Sequence, residues 1–292
     1  RFDDYSRQLY ATDASAYERL PIGVVLPRST DDVAAVVAYC FEHEIPVLPR
    51  GGGTSLAGQT VNEAVVLDFS RYMDDATIDP ESETATAEAG ITLGKLNEAA
   101  AEHGLTFGPD PAWGDKSALG GAIGNNSTGA HSLVYGKTDY YVEEVEAVLA
   151  DGTVTTFGEV AIETLREEGD ATSDDIRERV YASVLKILEE ERAEIDRRYP
   201  RLKRNVSGYN LDALIEDAQG TRPLADGTGT DPDSEAGMIN LARLLAGSEG
   251  TLAVVTEATV ALEPEPETKA VALLTYDSLI DAMEDVAPIL DH

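Results

Sequence analysis

The sequence predicts an α+β protein built of two α/β subdomains, and two observations carry that expectation. Near the N-terminus a 3.6-residue apolar period lies between two short apolar runs, the pattern of a β-α-β unit. Further along, alternating strand-length runs flank Asp79-Pro80-Glu81-Ser82 and Asp151-Gly152, both hairpin signals that imply antiparallel pairing. With 292 residues, 42% of them apolar, the chain can hold one large or two modest domains around a packed core.

Residues 1–20 read as an N-terminal arm. The first subdomain, 21–75, opens with a strand at 22–26. Ser29, with Asp32 three residues on, starts a helix whose apolar face is Val33, Val36, Val37, Cys40 and Phe41. Strands at 46–48 and 65–69 complete a small parallel sheet. The second subdomain, 76–263, starts with strands at 77–79 and 84–88. Thr92 caps a helix through Leu93, Leu96 and Ala100, stopped by Gly104. Val145, Ala147 and Leu149 alternate into the Asp151-Gly152 turn, and 153–157 returns. A long helix, capped by Ser173 or Asp174, carries Ile176, Val180, Val184, Ile187, Leu188 and Ile195 and ends before Pro200. Residues 220–237, rich in Gly, Pro, Thr and Asp, read as a mobile surface loop, and 252–262 as the last strand. Pro264-Glu265-Pro266 marks a boundary. Beyond it a strand at 269–275 and a helix at 279–290 are too small to fold alone, and the chain reads as the N-terminal portion of a longer protein.

Acids outnumber bases 55 to 22, and the net charge of −33 is spread along the whole chain. Self-repulsion of that size destabilises a compact state unless salt shortens the Debye length, to about 3 Å near 1 M. With 16 Arg against 6 Lys, the expectation is a halophilic protein of a salt-rich cytoplasm, not one with an acidic interaction tail. Nucleic acid and anionic membranes are poor partners for such a charge. No run approaches the ~20 apolar residues of a membrane span, and no signal-peptide pattern opens the chain. The single Cys40 excludes an internal disulfide and a Cys-ligated metal, and its helix-face position reads as a small buried hydrophobe. The histidines, His43, His103, His131 and His292, form no paired motif, so no metal site is expected.

The stretch Pro49-Arg50-Gly51-Gly52-Gly53-Thr54-Ser55-Leu56-Ala57-Gly58 carries no acid. Three successive glycines remove Cβ atoms and permit φ > 0, so the loop can turn its N–H groups inward as a nest for an anion. Thr54 and Ser55 add hydroxyls and Arg50 a positive charge at the edge; a diphosphate is the expected guest. Gly53, Gly58 and Thr60 fall at P-loop spacing, but Gln59 stands where that motif needs Lys, and the strand-like 64–68 run replaces the required helix. The dinucleotide pattern G-x-G-x-x-G fails at Leu56. Taken alone, a glycine-rich surface turn without a ligand is the alternative.

The loop resembles the first FAD-diphosphate loop of the vanillyl-alcohol oxidase-like, PCMH-type flavoproteins. The most similar branch contains glycolate oxidase flavin subunits and D-lactate and D-2-hydroxyglutarate dehydrogenases. Three further segments match in order. They are Gly108-Pro109-Asp110-Pro111 with Ala118-Leu119-Gly120-Gly121-Ala122-Ile123-Gly124-Asn125-Asn126-Ser127-Thr128-Gly129-Ala130-His131; Asn205-Val206-Ser207-Gly208-Tyr209-Asn210-Leu211; and Gly247-Ser248-Glu249-Gly250-Thr251-Leu252-Ala253-Val254-Val255-Thr256-Glu257. The run from Asn125 to Tyr135-Gly136-Lys137-Thr138 is similar to members fused to a C-terminal iron–sulfur domain.

The resemblance implies a PCMH-type FAD-binding domain of two subdomains followed by the start of a cap at 264–292. It assigns cofactor contacts to Arg50, Gly51, Gly52, Gly53, Thr54, Ser55, Leu56 and Gly58 in the loop. On the far side of the diphosphate it assigns Pro109, Asp110, Leu119, Gly120, Gly121, Gly124, Asn125, Asn126, Ser127 and Gly129; around the last strand, Glu249, Gly250 and the backbone at Val254 and Val255. Ala253 departs from the usual glycine. Tyr209, Asn210 and His131 are weak catalytic candidates, with an ordinary core Tyr and turn Asn as the alternative for the first two. In resembling dehydrogenases the catalytic His, substrate contacts and any metal ligands lie in cap and C-terminal segments. Members with a covalent 8α-histidyl flavin place a His beside the loop, and 44–58 has none, so FAD is expected to bind non-covalently. The implied reaction is oxidation of a small D-2-hydroxy acid by hydride transfer to flavin N5. Electrons would pass to an iron–sulfur domain, an electron-transfer flavoprotein or a quinone, the last with peripheral membrane contact. The alternatives are a non-redox FAD enzyme resembling alkylglycerone-phosphate synthase and a P-loop-type phosphate-binding module.

Overall fold

The computed structural model describes residues 1–200, 202, 204–268 and 270–290; Lys269 and His292 lie outside the described residues. The N-terminal arm contains a short helix, α1 (Asp4–Leu9), which Asp3 caps by accepting from the Ser6 N–H. Then come β1 (Gly23–Val25), α2 (Thr30–Glu42), β2 (Val47–Arg50) and β3 (Val65–Asp68). The strands pair in parallel in the order β1-β3-β2. Ser29 caps α2 as expected, and Val33, Val37 and Cys40 are buried. Phe41 is not part of that face and is 61% exposed. At 3.6 residues per turn it sits about 80° round from Val33, beyond a stripe that the sheet covers only narrowly.

The second sheet is antiparallel. It uses β4 (Ala76–Asp79), β5 (Thr84–Glu88), β6 (Val142–Val148), β7 (Val154–Phe157) and β8 (Val254–Ala261), in the order β4-β5-β8-β6-β7. Between β5 and β6 lie α3 (Leu93–Ala101), capped by Thr92, and α4 (Leu119–Gly124). A small cluster of Val33, Val37, Leu67, Phe69, Met73, Ala89, Val148 and Val254 joins α2 and β3 to the large sheet. The larger core packs the helices against its other face. Gly152 takes φ +89°, and its hairpin turn presses so closely on α2 that a Cβ would fall 2.6 Å from Ala38 Cβ. No helix among the described residues is long and apolar enough to cross a membrane.

Three expectations need correction. The long helix is capped by Asp175, not Ser173 or Asp174, and breaks at Glu191 into Ile176–Glu190 and Arg192–Arg198. Glu189, Glu190 and Glu191 crowd its C-terminal end, where the helix dipole disfavours negative charge. Residues 270–275 form no strand, because no neighbouring strand takes their backbone groups, and the following helix is split into Leu279–Glu284 and Val286–Leu290. The 220–237 loop is tied down: Arg222 reaches both Asp217 and Asp231, and a bridge joins Pro223 to Thr230.

Candidate functional site

The edge where the two sheets meet holds a solvent-open cleft. Three segments distant in sequence form it: the loop after β2, the helix α4 and the turn leading into β8. Gly51, Gly120, Gly121, Gly124 and Gly250 give it walls of bare backbone, while Phe69, Leu245, Ala253 and Val255 supply an apolar floor.

Each wall has a packing reason. A Cβ on Gly51 would fall 2.7 Å from Ala118 Cβ, and one on Gly52 1.8 Å from the Lys116 carbonyl oxygen. The glycine loop therefore lies flat against the approach to α4. Gly120 packs the same way on Ala89 and donates its N–H to the Ala89 carbonyl at 2.9 Å. This tertiary contact, not propensity, makes a helix of a glycine-rich stretch. At the third wall Glu249 adopts φ +52° and donates its N–H to the Gly124 carbonyl at 2.8 Å. Gly250, at φ +74°, approaches Pro49 too closely for any side chain.

The loop offers donors. Among the described residues, none of the backbone N–H groups of 51–56 gives its proton to a protein acceptor, nor does that of Gly121. Gly51 and Ser55 line the cleft, where backbone N–H groups without a protein partner are free to take an anion. Asn125 donates to the Ser55 hydroxyl at 3.1 Å and ties the loop to α4, and Thr54 meets the Ser117 hydroxyl at 3.3 Å. The lining includes one acid, Glu249, and one base, Arg50.

Arg50, the positive charge at the loop's edge, is itself anchored to the protein. Its guanidinium donates to the Thr60 carbonyl at 2.9 Å and the Thr12 carbonyl at 3.0 Å. Burial presses its pKa down, opposed by the nearby Asp13 and Asp68.

Of the residues singled out in the sequence, Arg50, Gly51, Ser55, Gly120, Gly121, Gly124, Asn125, Glu249, Gly250 and Val255 line this cleft. Gly52, Gly53, Thr54 and Gly58 shape the loop from outside it, and Leu56 stands 78% exposed. Val254 points the opposite way, into the core, as strand alternation requires. Leu119 is buried; Asn126 accepts the Asp139 N–H at 3.0 Å, and Ser127 accepts through its carbonyl from Thr138. Asp110 and His131 face a second cleft with Asn97 and Tyr135, paired at 3.3 Å. Pro109 and Gly129 back that turn, where a Gly129 Cβ would strike the Asp110 carbonyl. Asn210 is buried and donates to the Arg243 carbonyl at 3.2 Å. Tyr209 reaches the Thr251 hydroxyl at 3.0 Å, beside the third wall. Sequence reasoning missed Pro49, Gln59, Thr60, Phe69, Ala89, Leu245 and Ser248 as lining residues. Among the described residues no cluster of His, Cys, Asp or Glu is placed to hold a metal ion.

Residues 51–64 contain no helix and run into β3, so the strand–loop–helix geometry of a P-loop is absent.

The FAD binding domain family matches residues 21–158. D-2-hydroxyglutarate dehydrogenase of Escherichia coli (strain K12) is 33% identical over 97% of this chain and 26% of its own length. The glycolate oxidase subunit GlcD of Bacillus subtilis (strain 168) is 31% identical over 99% of this chain and 47% of its own. D-lactate dehydrogenase of Archaeoglobus fulgidus is 30% identical over 91% and 44%. The chain thus spans between about a quarter and a half of these relatives. A solved alkyldihydroxyacetonephosphate synthase superposes with a TM-score of 0.58 at 20% identity, covering 92% of this chain and 38% of that one, which speaks to the fold alone. Residues 21–158 carry an FAD-binding domain, and the chain is similar along nearly all its length to the D-2-hydroxyglutarate, glycolate and D-lactate enzymes just named.

Proposed function

We propose that this chain is the FAD-holding portion of a dehydrogenase for a small D-2-hydroxy acid, with the cofactor diphosphate against the glycine loop and α4. The observation that carries the reading is the set of N–H groups at 51–56 without a protein acceptor, in a loop whose Gly51 and Ser55 line the cleft beside walls of bare backbone. In a protein of net charge −33, an anion held by neutral N–H dipoles needs no lysine cluster. When bound, the flavin supplies the two-electron oxidation; this chain binds and orients it.

The lining includes neither His nor Lys, and Cys40 is buried on α2. These features support non-covalent binding and the reading of a proton-accepting base outside the cleft wall, in cap segments that residues 264–292 would begin. The division into an arm (1–20), two subdomains (21–75 and 76–263) and that cap start belongs to the same proposal. So do electron transfer onward to an iron–sulfur domain, an electron-transfer flavoprotein or a quinone, and a salt-rich cytoplasmic setting.

The test uses two preparations. Acid precipitation of the FAD-loaded chain should release all flavin to the supernatant. Anaerobic mixing of the whole protein with glycolate, D-lactate or D-2-hydroxyglutarate should bleach the visible flavin band with one of them, whereas residues 1–292 alone should not react. Whole protein unreactive to all three, or flavin retained in the pellet, contradicts the proposal.

A further inference from the structure

We infer that the N-terminal arm is a splint that holds the glycine loop in its anion-accepting shape, with Arg50 and Asp13 as positioning residues. The inference rests on the reading of the cleft as the FAD site, and it concerns residues ahead of the 21–158 segment that the family matches.

The contacts converge on both ends and the middle of the loop. The Ala14 N–H donates to the Gly53 carbonyl at 3.0 Å. In a planar trans peptide the C=O and the next N–H point opposite ways. Fixing the Gly53 oxygen on the arm therefore turns the Thr54 N–H to the other side. At the loop's far end Asp13 accepts from the Thr60 hydroxyl at 2.9 Å while also accepting the Ser15 N–H at 2.8 Å. Burial works to raise the Asp13 pKa, but these hydrogen bonds prevail and lower it, so the carboxylate is held charged.

Arg50 closes the device. One arm of its fork takes the Thr12 carbonyl, the other the Thr60 carbonyl, joining arm, strand end and loop end. Its outer nitrogen also lies where a Cβ on Gly53 would sit, 2.5 Å away, so Gly53 at φ +65° must be glycine for two reasons. Below it Tyr10 donates to Asp68, which also accepts from the Ser70 N–H and hydroxyl. Tyr17 underlies Gly58, where a Cβ would fall 2.7 Å from its ring. With its charge answered by Asp13 and Asp68, Arg50 acts through the loop's shape and not as the cation of the bound anion.

A charge role and a splint role separate on substitution. Arg50→Lys keeps the charge but cannot span two carbonyls with a planar fork. Asp13→Ala removes a carboxylate that is not among the cleft-lining residues, whereas Asp13→Asn keeps an acceptor for Thr60. FAD affinity should fall at least about tenfold in Arg50→Lys and Asp13→Ala, and by less in Asp13→Asn, which keeps one of the two acceptor oxygens. Amide exchange at 51–58 in the cofactor-free protein should quicken in the first two. Arg50→Lys with wild-type affinity overturns the inference, as does a folded Asp13→Ala that binds normally; if Asp13→Ala does not fold, Arg50→Lys and Asp13→Asn decide. Wild-type protein that fails to bind FAD would instead remove the underlying functional reading.

Discussion

Gly121→Leu should abolish useful FAD binding while leaving the cofactor-free protein as stable as before or more so. A Cβ at Gly121 meets nothing within 4 Å and its φ is not in the left-handed region, yet the residue lines the cleft. The added side chain therefore enters the space assigned to the cofactor without striking protein. Leucine is also the better helix former, by up to about 1 kcal/mol, and Gly121 lies inside α4. The two readouts move in opposite directions, which separates ligand exclusion from misfolding. We expect a loss of at least about a hundredfold in affinity, ~2.8 kcal/mol, with an unchanged or higher apo melting temperature. Gly52→Val would be a poorer test, since its side chain would collide with the Lys116 carbonyl whether or not FAD binds.

Arg243→Ala should destabilise the protein by about 3–5 kcal/mol, the usual cost of orphaning buried charges, read as a fall in the urea midpoint. Arg243 is 1% exposed and bridges Asp217 and Asp139, the latter at 3.2 Å. Burial alone would lower its pKa; the two carboxylates more than reverse this and raise it. Asp217 further accepts from Arg222 at 2.8 Å and from the Asn240 N–H at 3.1 Å. Removing Arg243 leaves Asp139 with Lys137 at 3.4 Å as its remaining cation. The network also fixes the chain just before Leu245, Ser248, Glu249 and Gly250, so weakened FAD binding should accompany the lost stability. A midpoint within error of wild type would mean that the carboxylates find other partners.

Much of this was legible in the sequence because the signals are local. Ser29 and Thr92 cap helices through their own side chains, and Asp151-Gly152 turns a hairpin through its own backbone. The glycine loop declares itself by composition. What stayed hidden depends on distant partners. Arg50 reads only as a positive charge at the loop's edge, because the carbonyls of Thr12 and Thr60 become its acceptors once the arm folds back. The α4 helix is invisible to propensity, being made by the Gly120–Ala89 contact. For Asn210 the sequence leaves a catalytic candidate and a turn Asn both open, and its buried hydrogen bond to the Arg243 carbonyl depends on a partner 33 residues away. Other features were legible but unread: alternation along β8 sends the Val255 side chain to the cleft and that of Val254 to the core. Likewise Leu211, Leu214, Ile215 and Ala218 before left-handed Gly220 mark the helix Leu211–Gln219, a pattern of period and stop that goes with helices.

The central claim is that three segments far apart in sequence close on one FAD molecule. Hydrogen exchange with and without FAD tests it directly. Amides in 51–58, 119–125 and 248–255 should all slow on FAD addition, and those of 97–110 and 131–135 around the His131 cleft should change far less. Protection confined to one of the three segments, or centred on the His131 cleft, would contradict the account.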